Sequence, residues 1–211
     1  MKKQITLLFA ACNLLLAGCS TTRPLINLDC GAGHARGYSQ KTGFAAVGQT
    51  TNDFWNFYDR DASPRSGDWR KSGSLLNLKL ASGKLSTAGV NISDAPGAWN
   101  DASSDPMYKT FIYPLDGGNM VVTFTNLPPG LYDVLAYSPD GSYEVVVGGL
   151  SYGLKTSYED PASSVPVWTE GVQFARWQNV KVSEGQSLVL ASHPNKQGKQ
   201  FLSGMQILLL P

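Results

Sequence analysis

Between Asn119 and Gly149 the chain reads NMVVTFTNLPPGLYDVLAYSPDGSYEVVVGG, three short alternating runs divided by Pro128-Pro129-Gly130 and Pro139-Asp140-Gly141. Alternation with period two puts Met120, Val122 and Phe124 on one face and Val121, Thr123 and Thr125 on the other, the pattern of a half-buried strand. Tyr143, Val145 and Val147 alternate in the same way, and Asp140-Gly141 suits a tight hairpin ahead of them. Runs of this kind continue to both sides: LINLD, GFAAV, SLLNLKL and TAGVNIS earlier, VQFARWQNVKV, QSLVLAS and FLSGMQILLL later. From Arg23 onward no window carries the 3.6-residue period of a helix. Ten or more short strands in about 190 residues predict an all-β fold, a single antiparallel β-sandwich of jelly-roll type over residues 24–211.

The first twenty-two residues follow a different logic. Lys2 and Lys3 precede an apolar run from Ile5 to Leu16, too short to span a bilayer, and small residues then lead to Cys19. Leu16-Ala17-Gly18-Cys19 resembles the lipobox of bacterial lipoproteins, which implies a signal peptide over 1–18, acylation of Cys19 and a short tether over 19–23. Ser20 in place of an Asp points to the outer membrane or cell surface. Several acyl chains on one residue would hold the protein firmly, at about 0.8 kcal/mol per buried methylene.

Removing the signal takes two of the 17 Lys and Arg, leaving 15 against 16 Asp and Glu, a net charge of −1. That balance carries no nucleic-acid footprint. Of the three cysteines, Cys12 leaves with the signal and Cys19 is acylated, so Cys30 stands alone, without a disulfide or a cysteine metal site. It reads as a small buried core residue.

Three connections are long and polar yet carry tryptophan: Asn52 to Ser72 with Trp55 and Trp69, Ser93 to Asp105 with Trp99, and Ser157 to Thr169 with Trp168. Loops on a rigid sandwich are where binding residues gather. An apolar sugar face stacks on an exposed ring while amides, carboxylates or Arg bond its hydroxyls. The expected ligand-binding set is therefore Trp69 with Arg70, Trp99 with Asn100 and Asp101, Trp168 with Glu170, and Tyr58 as an exposed member of the TNDFWNFYDRD stretch. Trp55 is expected to anchor that stretch to the sandwich, and Trp177 and Phe174 to pack.

The openings INLDCGAG and DFWN, the run GSLLNLKLASG, the turn LPPGLYDV and the ending SGMQIL resemble the galactose-binding-domain-like and malectin-like sandwiches of exported bacterial proteins. The resemblance covers nearly all of the mature chain and rests on strand-and-turn signatures rather than ligand motifs. It implies a jelly roll that binds sugars through loops at one end, in some members with a structural calcium. Asp53, Asp59, Asp61 and Asp105 are the candidate ligands for such an ion; no other cofactor is expected.

Catalytic motifs fare worse. Gly149-Leu150-Ser151-Tyr152-Gly153 fits G-x-S-x-G, with Asp160 and His193 following in α/β-hydrolase order, but no helix follows the serine. The glycines Gly31, Gly33 and Gly37 miss the dinucleotide spacing and open no helix. His34 and His193 lack the partners a zinc site needs. The four glutamates, Glu144, Glu159, Glu170 and Glu184, read as solvated strand and loop acids, not a hydrolase pair. The sequence thus predicts a surface-anchored, non-catalytic module whose partner is a carbohydrate or polysaccharide, touching the membrane through its lipid only. An envelope-protein interaction module is the alternative, and a polysaccharide-active enzyme the third reading.

Overall fold

The computed structural model describes residues 23–33, 40–61, 71–100, 103, 105–158 and 168–211. Thirteen strands lie within them: β1 (Leu25–Gly31), β2 (Asn56–Asp59), β3 (Gly73–Leu75), β4 (Gly89–Ser93), β5 (Gly97–Asn100), β6 (Thr110–Tyr113), β7 (Val121–Thr125), β8 (Gly130–Tyr137), β9 (Asp140–Val147), β10 (Leu150–Tyr158), β11 (Phe174–Val182), β12 (Leu188–His193) and β13 (Gly204–Leu209). A 3-10 turn, Pro106–Lys109, precedes β6. Two sheets form the sandwich, one ordered β11-β8-β13-β1-β2 and the other β10-β9-β12-β7-β4-β3, with β5-β6 as a separate pair. Every pairing among these thirteen strands is antiparallel except β1 with β2.

The core lies between the sheets. Alternate residues of β7, β9 and β12 (Val122, Phe124, Tyr143, Val145, Leu188, Leu190) meet Leu28, Val134, Ala136, Trp177, Val180 and Ile207 from the other sheet. Cys30 is fully buried among them, and burial together with the neighbouring Asp29 charge pushes its thiol well above the usual range.

A second, smaller cluster covers the outer face of the five-stranded sheet. Leu135, Tyr137 and Phe174 point outward there and are covered by Ala45, Trp55, Met107 and Tyr108. The segment crossing that face brings backbone polar groups into the interior, and these must find partners. Buried side chains supply them. Asn27 Nδ2 donates to Phe54 O at 3.0 Å, Gln206 Nε2 to Val47 O at 2.9 Å, and Asn56 Nδ2 to Asn27 O and Lys79 O at 2.9 and 2.8 Å. Trp55 is buried and its Nε1 donates to Gly43 O at 2.9 Å, so it anchors this stretch as expected.

Three expectations change. GFAAV is not a strand but part of that covering segment, held by side chains instead of a ladder. Asp140-Gly141 does not close a hairpin: β8 and β9 belong to opposite sheets, and the chain crosses between them at Ser138-Pro139. The tight hairpin lies one strand later, at Gly148 and Gly149, both at positive φ, joining β9 to β10. Tyr58 is not exposed. It sits on β2 opposite Cys30, wholly buried, because β2 adds to the sheet edge beside β1 and turns this ring into the core between the sheets.

Candidate ligand-binding site

The strands of the five-stranded sheet give the molecule two ends. The end at Leu25 also holds Gly130, Val182 and Leu209; the end at Gly31 holds Tyr137, Phe174 and Gly204. These are called proximal and distal here. The β5-β6 pair belongs to the distal end, since Ile112 bridges Leu202 and the Thr110 hydroxyl lies against Gly31.

In the β5-β6 register Trp99 faces Phe111 and Gly97 faces Tyr113, so Trp99, Phe111 and Tyr113 share one face of the pair. The opposite face carries Ala98 and Ile112 into the main core. Phe201 stacks on Phe111 with ring centroids 4.5 Å apart and meets Tyr113 edge-on at 5.7 Å. Gly97 is required here: a Cβ would stand 2.3 Å from the Tyr113 ring, which lies flat across the strand. Phe111 is buried beneath this layer, while Trp99 is 65 % exposed. The arrangement is a rigid aromatic floor with one open indole; Asn100, also exposed, follows it on the other face of β5.

Next to the floor is a polar notch of about 130 Å³, bounded by Tyr113, Gly117, Gly118, Lys199, Gln200 and Phe201. Gln200 is fixed at its base, with Nε2 donating to Gly118 O at 3.0 Å and Oε1 accepting from Ser192 Oγ at 2.6 Å. The Lys199 ammonium lies 5.9 Å from the Phe201 centroid and 3.1 Å from Asp140, whose other oxygen accepts from Asn195. An apolar platform bordered by a few oriented polar groups is the general form of a small-ligand site.

Trp168 is half-buried, stacked on Tyr108 at 5.9 Å and edge-on to Tyr137 at 5.3 Å. It packs over the outer cluster and leaves little free ring. Beneath it, Lys41 reaches Asp105 at 2.6 Å, with side chains only 6 and 16 % exposed, and its ammonium lies 5.7 Å from the Trp168 ring and 6.0 Å from Trp55. The Lys41 amide donates to Asp29 Oδ2 at 3.1 Å. No motif marks this cage, whose ion pair spans 64 residues of sequence. Glu170 is exposed and pairs with Lys155 at 3.1 Å. Trp69, Arg70 and Asp101 lie outside the described residues, as do Cys19, His34, Glu159 and Asp160.

The four aspartates named for calcium have separate tasks. Asp53 accepts from the Gln49 and Thr50 amides at 2.6 and 2.7 Å and closes that turn. Asp59 accepts from Gly33 N and Asp61 N, both at 2.8 Å, and Asp61 pairs with Arg60 at 2.7 Å. Asp105 caps the 3-10 turn through Met107 N at 2.9 Å. Among the described residues no three Asp, Glu, His or Cys side chains converge on one point.

Ser151 stands in β10, an edge strand, and its hydroxyl donates to Glu144. His193 lies 3.4 Å from the other oxygen of Glu144. The carboxylate therefore sits between serine and histidine, whereas nucleophile activation needs the imidazole in that place.

No protein-family model matches the chain, and no curated protein does. Solved structures similar to it include the protein YxiM of Bacillus subtilis, at 17 % identity and a TM-score of 0.44, covering 88 % of this chain and 40 % of that one. Another is the exo-β-1,3-galactanase of Phanerochaete chrysosporium solved with galactose, at 16 % identity and a TM-score of 0.33, covering 62 % and 32 %. The chain spans less than half the length of either.

Proposed function

We propose that the protein is a non-catalytic carbohydrate-binding module, exported and held at the outer membrane or cell surface by acylation of Cys19, with the β5-β6 aromatic face as its platform. The observation that carries this reading is Trp99: one open indole on the same face of its strand pair as Phe111 and Tyr113, which pack against Phe201. Exposing so large an apolar ring gives up burial that folding would otherwise gain, and a sugar face recovers it. Lys199, on the polar notch beside the floor, supplies a donor for hydroxyls. Dependence on calcium is a lesser part of the proposal, tested by chelation; the four aspartates named for it do not converge on one point.

The test uses residues 20–211 in soluble form, with tryptophan fluorescence and calorimetry against plant, algal and microbial polysaccharides, with calcium and with chelator. Saturable binding that disappears in Trp99→Ala at unchanged thermal stability is the expected result. Binding untouched by Trp99→Ala rejects the platform. Silence across a broad panel rejects the module and favours the protein-interaction reading, for which the exposed Leu154 and Tyr158 on the edge strand β10 are the specific observation.

A further inference from the structure

The exposed leucines fall unevenly over the sandwich, and the strand registers show where. β7 ends at Thr125, opposite Gly89, and turns into Gly130 at the proximal end; Val147 pairs with Leu188, which pairs with Phe124 beside that end. The loops leaving β3, β7 and β9 therefore all emerge proximally. They and the first residues of β8 and β10 that follow them carry Leu76, Leu85, Leu131 and Leu150, which are between 41 and 79 % exposed. Leu131 also lines a groove of about 610 Å³ with Val182, Leu209 and Leu210.

The described chain begins on the same rim. Leu209 N donates to Pro24 O at 2.9 Å, and Gln49 Nε2 donates to the Arg23 carbonyl. Four peptide steps separate Arg23 from Cys19, a reach of at most about 14 Å when extended. An acylated Cys19 would keep the proximal end within that distance of the bilayer interface, at high local concentration for any weak surface contact.

We infer that the proximal end is a membrane-docking surface, its loop leucines seated at the boundary between headgroups and acyl chains beside the lipid anchor. Leucines at this depth bury apolar area that water otherwise covers, as the apolar face of an interfacial helix does. Arg23 and the exposed Lys181 on the same rim suit lipid phosphates, with Glu184 opposing them. The inference rests on the lipoprotein reading and deepens it: the bilayer is a partner of the folded domain as well as of its lipid.

The chain from Cys19 is coupled through that thiol to a maleimide phospholipid in vesicles of phosphatidylethanolamine and phosphatidylglycerol; buried Cys30 stays unlabelled. Hydrogen exchange read by mass spectrometry then compares tethered with free protein. Several-fold slower exchange in the loops bearing Leu76, Leu131 and Leu150, none over 97–113, and loss of the effect in Leu76→Asp/Leu131→Asp/Leu150→Asp at unchanged melting temperature are expected. Equal exchange throughout, or slowing at the aromatic face, overturns docking. Fatty-acid labelling of the full precursor in a bacterial host, with Cys19→Ala as control, separates the two ideas. An unacylated Cys19 defeats the lipoprotein reading and the docking with it; an acylated Cys19 with unprotected loops defeats docking alone.

Discussion

The pair between Lys41 and Asp105 holds the outer cluster together, and its removal has a calculable cost. Its charges are 2.6 Å apart, almost out of water, and flanked by the Trp55 and Trp168 rings. Removing one partner of such a pair costs about 3–5 kcal/mol, chiefly because the other charge stays buried. Asp105→Asn keeps an N-cap acceptor for Met107 N and so isolates the charge; it strands the Lys41 ammonium, only 6 % exposed, and about 3 kcal/mol is expected. Lys41→Met keeps the stem's packing but loses the cation over two rings, and should cost about 2–3 kcal/mol. The double variant leaves no charge stranded and should cost about 1–2 kcal/mol, well below the sum of the singles. For a domain of this size, 3 kcal/mol corresponds to a fall of roughly 6–12 °C in Tm. Urea unfolding followed by far-ultraviolet circular dichroism and by tryptophan fluorescence reads all four proteins. If the double variant costs as much as the two singles together, or each single costs under about 0.5 kcal/mol, the pair is not the buried, coupled unit described.

Alkali gives a second test. Burial pushes the Tyr132 hydroxyl up to about 12 and those of Tyr137 and Tyr143 higher still, while their ordinary value is near 10. Above that value the unfolded chain loses protons that the folded protein keeps. Stability should hold up to about pH 9.5 and fall from about pH 10 to 12, with Tyr132→Phe flattening part of the fall in urea midpoints measured across that range. Trp99→Ala should change stability by no more than about 0.5 kcal/mol, and Tyr58→Ala should cost about 3–5 kcal/mol, reversing what the loop position of both rings suggests. Gly97→Ala, which sets a Cβ against the Tyr113 ring, should cost about 1–3 kcal/mol and tilt that ring, lowering ligand affinity more than Asn100→Ala does. Cys30 should resist a thiol reagent until urea unfolds the protein, and reaction at the native-state rate of a free thiol would contradict its burial.

The strands legible in the sequence include β1, β8 and β13, apolar runs buried on both faces, and those with one face in the core. In β7, β9 and β12 the alternation of apolar and polar letters is the alternation of burial itself. β10 escaped because an edge strand wets both faces, and LSYGLKTSY shows no alternation to find. β2, β5 and β6 escaped because four residues are too few for a period, and their neighbours look like loop. The Asp140-Gly141 letters favour a turn, yet both residues open β9 and the crossing comes just before them, because turn letters do not say which sheet the next strand joins. The same limit governs the site. Trp99 was legible as a candidate ring, whereas the rings that share its face come from β6 and from Phe201, a hundred residues away along the chain. Trp168 reads identically in sequence, yet it packs because Tyr108 and Tyr137 happen to meet it. The Lys41 cage and the pins Asn27, Asn56 and Gln206 had no signal, since a buried polar side chain is spelled like a surface one and only its distant partner makes it structural.

The two ends of the molecule differ because its middle is rigid. β1 runs from the proximal rim to the distal one in seven residues, roughly 23 Å at 3.3 Å per residue, and its neighbours pair with it almost throughout. Nothing along that span bends without breaking ladder bonds or the core. A constraint placed on the proximal rim therefore fixes the direction in which Trp99 points. A tether of a few residues alone would let the domain tumble and lay the aromatic floor against the envelope as often as away from it. In the proposed docking, leucines seated beside the tether would remove that freedom and turn the floor outward, where a polymer too large to enter the space between domain and bilayer could reach it. This coupling links the two proposals through geometry: substituting Leu131 and Leu150 with Asp, remote from the aromatic face, should leave affinity for a soluble oligosaccharide intact and weaken capture of long polysaccharide only when the protein is on a membrane.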